Sequence, residues 1–532
     1  MSTIHNPLLP GFNPDPSIIE ANGAFYIATS TFQWFPGICI YKSFDLKNWK
    51  LISCPLNRLS QLDMKGNPDS GGIFAPCLSE DKGIFYLVYT DVKSLSGRFW
   101  DTHNYIVTTH DIEGEWSEPV YVNSRGIDPS LFHKKDGTKW LVSMEMSYRD
   151  GGKAGFPRWN GIILQQYDEK EQKVTGETLK IYAGSRLGTT EGPHIYEHGG
   201  WYYLMTAEGG TFYNHGVTMA RARRLEGPYE TDPGGQMLTA RYDCRLPLQR
   251  TGHADLIRTA SDEWFMVHLC GRPLPSRGRS PMGRETAIQK VYWSEDGWLR
   301  LSNEKNTPEM IVHTRLTERP WPETASRDDF DSPNLALHYH TLRVPLPESV
   351  CTLTARKGWL RLYGKESLSS LHTQSLIARR QTDFAYRAQT CLDFNPRSFQ
   401  QMAGLTTIYD TAGYIYLYVS VGENGKRTVN LLINDLNTFS HPAGPGIDIE
   451  SELPVYLRVD VRHDAAFYYY SLDEQNWHSV GDYVEYSKLS DEYYKERGYE
   501  RFTGTFVGLC CQDFTGENVH ADFDYFLYEP LS

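Results

Sequence analysis

A short two-strand motif recurs five times within the first three hundred residues of this 532-residue chain. Each copy opens with a small or polar residue, usually followed by Pro or Ala. An apolar strand, a Gly- or Asp-containing turn and a second strand rich in aromatic residues come next. The alternation and the turn residues predict β-hairpins. The copies cover residues 15–28, 75–89, 128–142, 191–205 and 252–268.

A repeat of about sixty residues that carries several strands is typical of a propeller blade. Blades of four antiparallel strands arranged around a channel form a β-propeller. The sequence therefore predicts an all-β protein in which residues 1–305 form a five-bladed propeller. A β-sandwich whose hairpins happen to look alike is the structural alternative.

The rest of the chain has a different pattern. Residues 306–326 carry Pro308, Pro320 and Pro322 among mixed charges, and we interpret them as a linker. Short alternating strands such as 413–419 and 457–461 follow, which predicts a lectin-like β-sandwich over residues 327–532. Taken alone, this domain is also consistent with a carbohydrate-binding module.

The composition limits the partners and the compartment. The net charge of −13 at pH 7 argues against nucleic acid and against an anionic membrane surface. The first residues lack the basic and apolar regions of a signal peptide, and no apolar run reaches transmembrane length. Nine cysteines at irregular spacing suit a reducing compartment. We expect a cytoplasmic protein with a small substrate, and a homo-oligomer is left open.

The first repeat begins with an acid between two prolines, in the segment 13–17. Pro14 and Pro16 hold Asn13 and Asp15 out of the helical region, and Pro16 also fixes its own φ angle. The segment is therefore a rigid ledge that presents one carboxylate. On its own, the same pattern also describes a stiff turn with an exposed Asp15.

Carboxylates recur at the start of other repeats, in Asp128 and Glu191. Because the first strand of each blade lines the channel, these two acids and Asp15 should converge at one mouth, with His253 near the same level. Buried carboxylates repel one another, so such a cluster needs a purpose. Hydrolysis of a glycosidic bond needs one carboxylic acid and one carboxylate, with a third charge to tune the acid. A metal site is the competing interpretation.

Aromatic residues are interleaved with these acids. Phe32, Phe74 and Trp159 are examples whose rings are suited to stacking against the C–H faces of a sugar. Each of them is equally compatible with a place in the apolar core.

The motifs in residues 13–17, 126–130 and 190–194 together resemble glycoside hydrolase family 43. Further stretches resemble the β-xylosidase and α-L-arabinofuranosidase branch of that family, which has a C-terminal β-sandwich. These stretches are residues 28–32, 63–73, 205–210 and 283–289. The resemblance covers nearly the whole chain.

The resemblance implies an exo-acting hydrolase that inverts the anomeric centre. It implies that Asp15 is the general base, that Glu191 is the general acid and that Asp128 tunes and orients the acid. Arg284 would contact sugar hydroxyls close to the base. His253 would lie at the channel axis, where relatives place a water or a calcium ion. No cofactor is required, and no metal ligand is firmly predicted.

The resemblance also implies substrate contacts for Phe32, Phe74 and Phe502. Phe502 matches the aromatic residue of a loop that the sandwich lends to the active-site rim, although it is equally compatible with a core position. Relatives carry Trp at the position of Phe74, Asp at that of Cys77 and Trp near Met146, so the sugar subsites of this chain differ from theirs.

We therefore expect release of terminal xylose from β-1,4-xylo-oligosaccharides, with side activity on α-L-arabinofuranosides. A primary α-L-arabinofuranosidase is the nearer alternative. A non-catalytic propeller–sandwich protein that binds carbohydrate is the alternative from another class.

Overall fold

The computed structural model describes residues 2–97, 99–148 and 158–531, with Arg158 described for its backbone alone. The chain separates into two compact units. The propeller unit comprises Met1–Leu62, Gly71–Arg272 and Arg284–Trp321. The sandwich unit comprises Asp63–Ser70, Pro273–Gly283 and Pro322–Ser532. The domain limits stated above, at residues 305 and 326, stay predictions.

Five antiparallel sheets make up the propeller unit, so the predicted five blades are confirmed. Blade 1 contains Ser17–Ala21, Ala24–Thr29, Cys39–Ser43 and Lys50–Ser53; blade 2 contains Gly72–Asp81, Ile84–Ser94, Asp101–Thr109 and Val120–Asn123; blade 3 contains Ser130–His133, Lys139–Ser147, Arg158–Asp168 and Lys173–Tyr182; blade 4 contains Glu191–His198, Trp201–Glu208, Gly216–Ala222, Glu230–Thr231 and Leu238–Thr239; blade 5 contains Gln249–Arg258, Trp264–Gly271, Glu285–Trp293 and Leu299–Leu301. Ser2–His5 pairs with Ile311–Thr314, and Trp34–Phe35 is a further short strand.

The inner strand of each blade is preceded by, or carries near its start, a residue in the left-handed region of backbone space. The φ angles are 54° at Asp15, 39° at Ala75, 56° at Asp128, 56° at Gly192 and 47° at His253. Asp15 thus lies outside the right-handed helical region, as expected from Pro16, and its left-handed conformation turns the chain into the inner strand. In blade 4 this residue is a glycine, so the acid of that blade precedes the turn by one residue.

The inner strands meet along the channel, as the repeat predicted. Side chains two residues beyond the left-handed position share a face because strand side chains alternate. Ser17 Oγ donates to Asp255 Oδ2 at 2.8 Å and accepts from the backbone N–H of Leu78 at 3.1 Å. These contacts link blade 1 to blade 5 and to blade 2. An apolar cluster also joins blades 5 and 1, with Ile18 and Phe265 among its members.

The sandwich unit contains two antiparallel sheets. One consists of Arg327–Asp328, Cys351–Thr352, Leu360–Tyr363, Ala385–Asp393, Val455–Arg462, Ala465–Ser471, His478–Ser479, Val484–Glu485 and His520–Pro530. The other consists of Ser375–Arg380, Gln401–Asp410, Gly413–Val421, Arg427–Asp435, Thr438–Ser440, Ile447–Asp448 and Phe506–Asp513. Thr341–Leu342 is a further short strand, and the sandwich prediction is confirmed.

A single large apolar cluster fills the space between these two sheets. Leu392, Val459 and Phe523 come from one sheet, and Leu405 and Leu417 come from the other. A 3₁₀ turn at Tyr486–Lys488 and an α-helix at Asp491–Lys495 lie outside the sheets. Among the described residues, no helix has the length and apolar content that crossing a bilayer requires.

A buried ion pair lies inside the sandwich unit. Arg343 is fully buried, and its Nη2 donates to Asp69 Oδ1 at 2.7 Å. Arg343 Nε also donates to the carbonyl of Asn67 at 2.7 Å, while Thr411 Oγ1 donates to Asp69 Oδ2 at 2.5 Å. Both charges are therefore compensated within the unit, and the segment Asp63–Ser70 is held by them.

Replacement of Arg343 by Met should destabilise the sandwich unit by about 3–5 kcal/mol, because Asp69 would keep a buried charge without its cation. Urea unfolding followed by circular dichroism measures the change. The matched control is Arg258→Met, which removes an exposed i,i+4 pair with Asp262 and should cost less than about 1 kcal/mol. Equal losses in the two variants would contradict the prediction.

Candidate active site

Asp15 is buried at the mouth of the channel and accepts hydrogen bonds on both carboxylate oxygens. Arg284 Nη1 donates to Asp15 Oδ1 at 3.1 Å, and Ser30 Oγ donates to Asp15 Oδ2 at 2.7 Å. The arginine charge compensates the carboxylate. Because an ionised carboxylate offers about four acceptor positions, these two contacts leave acceptor capacity for a water molecule.

Arg284 is held in place from several sides. Its Nη1 also donates to Thr211 Oγ1 at 3.3 Å, and its guanidinium lies 5.0 Å from the ring centroid of Phe32. An arginine over an aromatic face gains electrostatic attraction as well as packing. The cation therefore has a defined position beside Asp15.

The side chain of Asp128 contacts the backbone of the fourth blade. Asp128 Oδ2 accepts the N–H of Gly192 at 3.0 Å. A Cβ on residue 192 would lie 3.1 Å from the ring of His253, and the φ of Gly192 is 56°. Non-glycine residues adopt the same φ at the equivalent positions of the other blades, so glycine is favoured here chiefly by the lack of space beside His253, and it brings Asp128 against the backbone that carries Glu191.

His253 lies between two of the acids. Its Nδ1 is 3.9 Å from Asp15 Oδ1 and 4.0 Å from Asp128 Oδ2. Burial lowers the pKa of His253 to about 4, against the opposing charge of Asp15. The ring is therefore neutral at pH 7 and adds no positive charge to the cluster.

Glu191 is buried, and burial raises its pKa to about 7. The indole N–H of Trp159 donates to Glu191 Oε2 at 2.6 Å and opposes this rise. The charge of Asp15 raises the pKa further, and Arg284 lowers it. A large part of the Glu191 population therefore keeps its proton near neutral pH.

Asp128 responds to the same surroundings. Burial, followed by the charges of Glu191 and Asp15, raises its pKa well above the usual range. The N–H of Gly192 and the charge of Arg284 act in the opposite direction. At neutral pH the three acids consequently carry fewer than three negative charges.

Phe32 and Phe74 form an aromatic wall next to these acids. Their ring centroids are 4.4 Å apart, and Phe12 lies 5.5 Å from Phe32 on the other side. Both rings are almost fully buried. Phe502 belongs to the sandwich unit, where its backbone N–H donates to Ser70 Oγ at 2.9 Å. Its role at an active-site rim stays a prediction.

The predicted calcium ion can be tested against the side chains around His253. Within the described parts of the chain, no three His, Cys, Asp or Glu side chains form a group suited to a metal ion. Calcium takes six to eight oxygen ligands. The side chains here do not form such a set, and no step below uses a metal.

Three supporting residues were not identified from the sequence. Ser30 holds Asp15, as described above. Glu208 is fully buried and accepts Thr190 Oγ1 at 3.0 Å, which anchors the residue before Glu191. Asp255 accepts Tyr196 OH at 2.6 Å. Asp255 could have been identified from the sequence, since it lies two residues after His253 on the same strand face. Ser30 and Glu208 lie in stretches 28–32 and 205–210, which carry the family resemblance, but nothing in their local pattern shows which acids they contact.

The arrangement combines a carboxyl group that is protonated near neutral pH with a second carboxylate paired to arginine. Two carboxyl groups whose environments separate their protonation states are suited to act as acid and base in one reaction. The roles of Asp15, Asp128 and Glu191 are thus chemically consistent with their positions.

Comparison with known proteins covers the whole chain. A model of glycosyl hydrolases family 43 matches residues 4–299, and a model of the beta xylosidase C-terminal Concanavalin A-like domain matches residues 327–529. The chain is 45% identical to a beta-xylosidase of Bacillus subtilis (strain 168), over 99% of each protein. It is 44% identical to Xylosidase/arabinosidase 43B of Humicola insolens, over 100% of this chain and 98% of that protein.

A solved structure is similar over the same length. The crystal structure of xylan beta-1,4-xylosidase from Bacillus halodurans C-125 matches with a TM-score of 0.96 and 48% identity. The match covers 99% of this chain and 100% of the other.

Replacement of Asp15 by Asn should lower the pKa of Glu191 from about 7 towards the usual range near 4, because a neighbouring negative charge is lost. Carbon-13 NMR of protein labelled at glutamate carboxyls measures it, with Glu191→Gln identifying the signal. The matched control Asp262→Asn removes an exposed surface charge and should leave this pKa in place. An unchanged pKa in the Asp15 variant would contradict the prediction.

Proposed function

The chain belongs to glycosyl hydrolases family 43, and from this membership we propose that it releases terminal xylose from β-1,4-linked xylo-oligosaccharides with inversion. The full-length similarity to beta-xylosidases supports this substrate class. A propeller followed by a beta-xylosidase C-terminal domain is the domain order of the whole chain.

In this mechanism Glu191 protonates the oxygen of the leaving sugar, and Asp15 accepts a proton from the attacking water. Bond cleavage to the anomeric carbon and addition of water occur on opposite faces, so the product has the inverted configuration. The observation that carries the proposal is the pairing of a Glu191 with a pKa of about 7 with an Asp15 held by Arg284.

Asp128 and Arg284 support these two acids. Asp128 lies against the backbone of Gly192, and a charge on it would favour the protonated form of Glu191. Arg284 would also present donors to sugar hydroxyls beside the base. His253, neutral and buried, would contribute a ring nitrogen at the level of the acids.

Arabinofuranoside hydrolysis is a second activity, favoured by the relative named Xylosidase/arabinosidase 43B. Phe74 and Met146 stand where the sequence departs from the xylosidase pattern, and these substitutions lead us to expect a sugar subsite of different shape. We propose xylose as the main product and arabinofuranose as the minor one. The rim role of Phe502, a calcium ion near His253, a cytoplasmic location and the oligomeric state stay predictions.

Asp15→Ala and Glu191→Ala should each reduce turnover of xylobiose by at least a hundredfold, because general acid–base catalysis contributes about 10²–10⁴-fold. Released xylose measures the activity, and circular dichroism verifies the fold. Asp262→Ala, which removes an exposed carboxylate, is the matched control. Full turnover in either active-site variant would exclude the assignment, and a protein that only binds carbohydrate would release no xylose at all.

Proton NMR of the first sugar released from xylobiose should show the α anomer before mutarotation, because direct attack by water inverts the β-linked centre. Parallel assays on 4-nitrophenyl β-D-xyloside and 4-nitrophenyl α-L-arabinofuranoside should give the higher kcat/KM for the xyloside. A β anomer would rule out Asp15 as the base that activates water. A higher kcat/KM on the arabinofuranoside would reverse the substrate order.

A further inference from the structure

Trp159 lies in the strand Arg158–Asp168 of blade 3, directly across from Met146 in the register of the sheet. Its indole reaches blade 4, where Nε1 donates to Glu191 Oε2 at 2.6 Å. The sequence suggested a sugar-stacking or core role for this ring. The structure instead gives it a direct polar contact with the acid.

A β-bulge directs this side chain. The register between the second and third strands of blade 3 shifts between the pairs Met144–Ile162 and Met146–Trp159, so Asn160 and Gly161 on the third strand lie opposite the single residue Glu145. Bulges re-aim neighbouring side chains and occur often beside active sites. The local backbone of Trp159 therefore depends on the geometry of this bulge.

The carboxylate of Glu145 is buried and clamps the bulge from two sides. Glu145 Oε2 accepts Asn160 Nδ2 at 2.6 Å, and Glu145 Oε1 accepts Arg125 Nη2 at 2.5 Å. Asn160 immediately follows Trp159, so the clamp fixes the backbone from which the indole extends. The pairing of the two strands continues on both sides of the bulge.

The chemistry of the indole decides which carboxyl oxygen carries the proton. An indole N–H is a donor only, so Oε2 of Glu191 must act as the acceptor in this contact. The carbonyl oxygen of a neutral carboxyl group is a better acceptor than its hydroxyl oxygen, so this contact favours the proton on Oε1. The N–H also resists rotation of the carboxyl group, which keeps Oε1 in one direction.

We propose that Trp159 is a positioning residue for proton transfer from Glu191, holding Oε2 so that Oε1 presents the proton to the leaving oxygen; this rests on the acid role proposed above. The effect of Trp159 then depends on how much the leaving group needs a proton. Xylose as a leaving group needs full protonation, whereas 2,4-dinitrophenolate leaves with little help.

The test compares kcat/KM of Trp159→Phe on xylobiose and on 2,4-dinitrophenyl β-D-xyloside. Phe keeps a ring and removes the N–H. We expect about a tenfold loss on xylobiose, part of the acid contribution, and less than about a twofold loss on the dinitrophenyl substrate. The alkaline limb of the plot of kcat/KM for xylobiose against pH should move to higher pH. The N–H favours the charged form of Glu191, so its removal raises the pKa of that acid.

Trp100→Phe is the matched control. The two indole rings are in contact, with centroids 6.1 Å apart and an interplanar angle of 79°. Among the described residues, the N–H of Trp100 is buried and has no hydrogen-bond partner. This variant removes the same group from a neighbouring ring. The ratio of kcat/KM on the two substrates and the alkaline limb of the pH profile should therefore both stay as in the unmodified enzyme.

Asn160→Ala provides a second route if the Phe variant does not fold. It loosens the clamp without touching the indole, and it should change the substrate ratio in the same direction by a smaller factor. Equal losses on both substrates with an unmoved alkaline limb, or the same ratio change in Trp100→Phe, would overturn the positioning role. Full xylobiose turnover by Glu191→Ala would instead overturn the proposed function itself.

Discussion

Three carboxyl groups buried at one channel mouth repel one another, and the surrounding structure must offset that repulsion. Arg284 supplies the compensating positive charge, and its Nη1 lies 3.1 Å from Asp15 Oδ1. The N–H of Gly192 adds a partial positive charge at Asp128. Burial, and after it the remaining repulsion between the acids, raises the pKa of Glu191 and of Asp128, because protonation removes a buried charge. The acid function thus follows from burial together with incomplete compensation.

The propeller architecture stabilises this concentration of charge. A left-handed residue lies just before or near the start of each of the five inner strands, and each such residue costs about 1–3 kcal/mol when it is not glycine. Asp15, Asp128 and His253 accept that strain at the channel mouth. Hydrogen bonds further down the channel, such as Ser17 to Asp255, and the apolar packing between blades hold the ring together. Backbone strain is therefore located beside the acids at the channel mouth, and contacts between the blades elsewhere offset it.

Much of this arrangement could be predicted from the chain. The five repeats indicated five blades, and the acids at their starts indicated a shared site. The proline rule placed Asp15 outside the right-handed helical region, but it did not specify the left-handed conformation with which the chain enters the inner strand. Glu191 lies one residue before the repeat position that Asp15 and Asp128 occupy, since Gly192 takes this left-handed position beside His253. Ser30, Glu208 and the N–H of Trp159 depend on contacts between distant segments, which local patterns do not encode.

By itself the sequence determined the class of fold, the number of blades and the acids that face the channel, because hydrophobic alternation and repeat spacing are properties of neighbouring residues. Only the tertiary structure decided which acid keeps its proton. That outcome depends on burial and on distances between groups from different blades: Arg284 beside Asp15, and Trp159 beside Glu191. Electrostatic energies vary with separation and solvent exposure, and both quantities exist only once the blades are assembled.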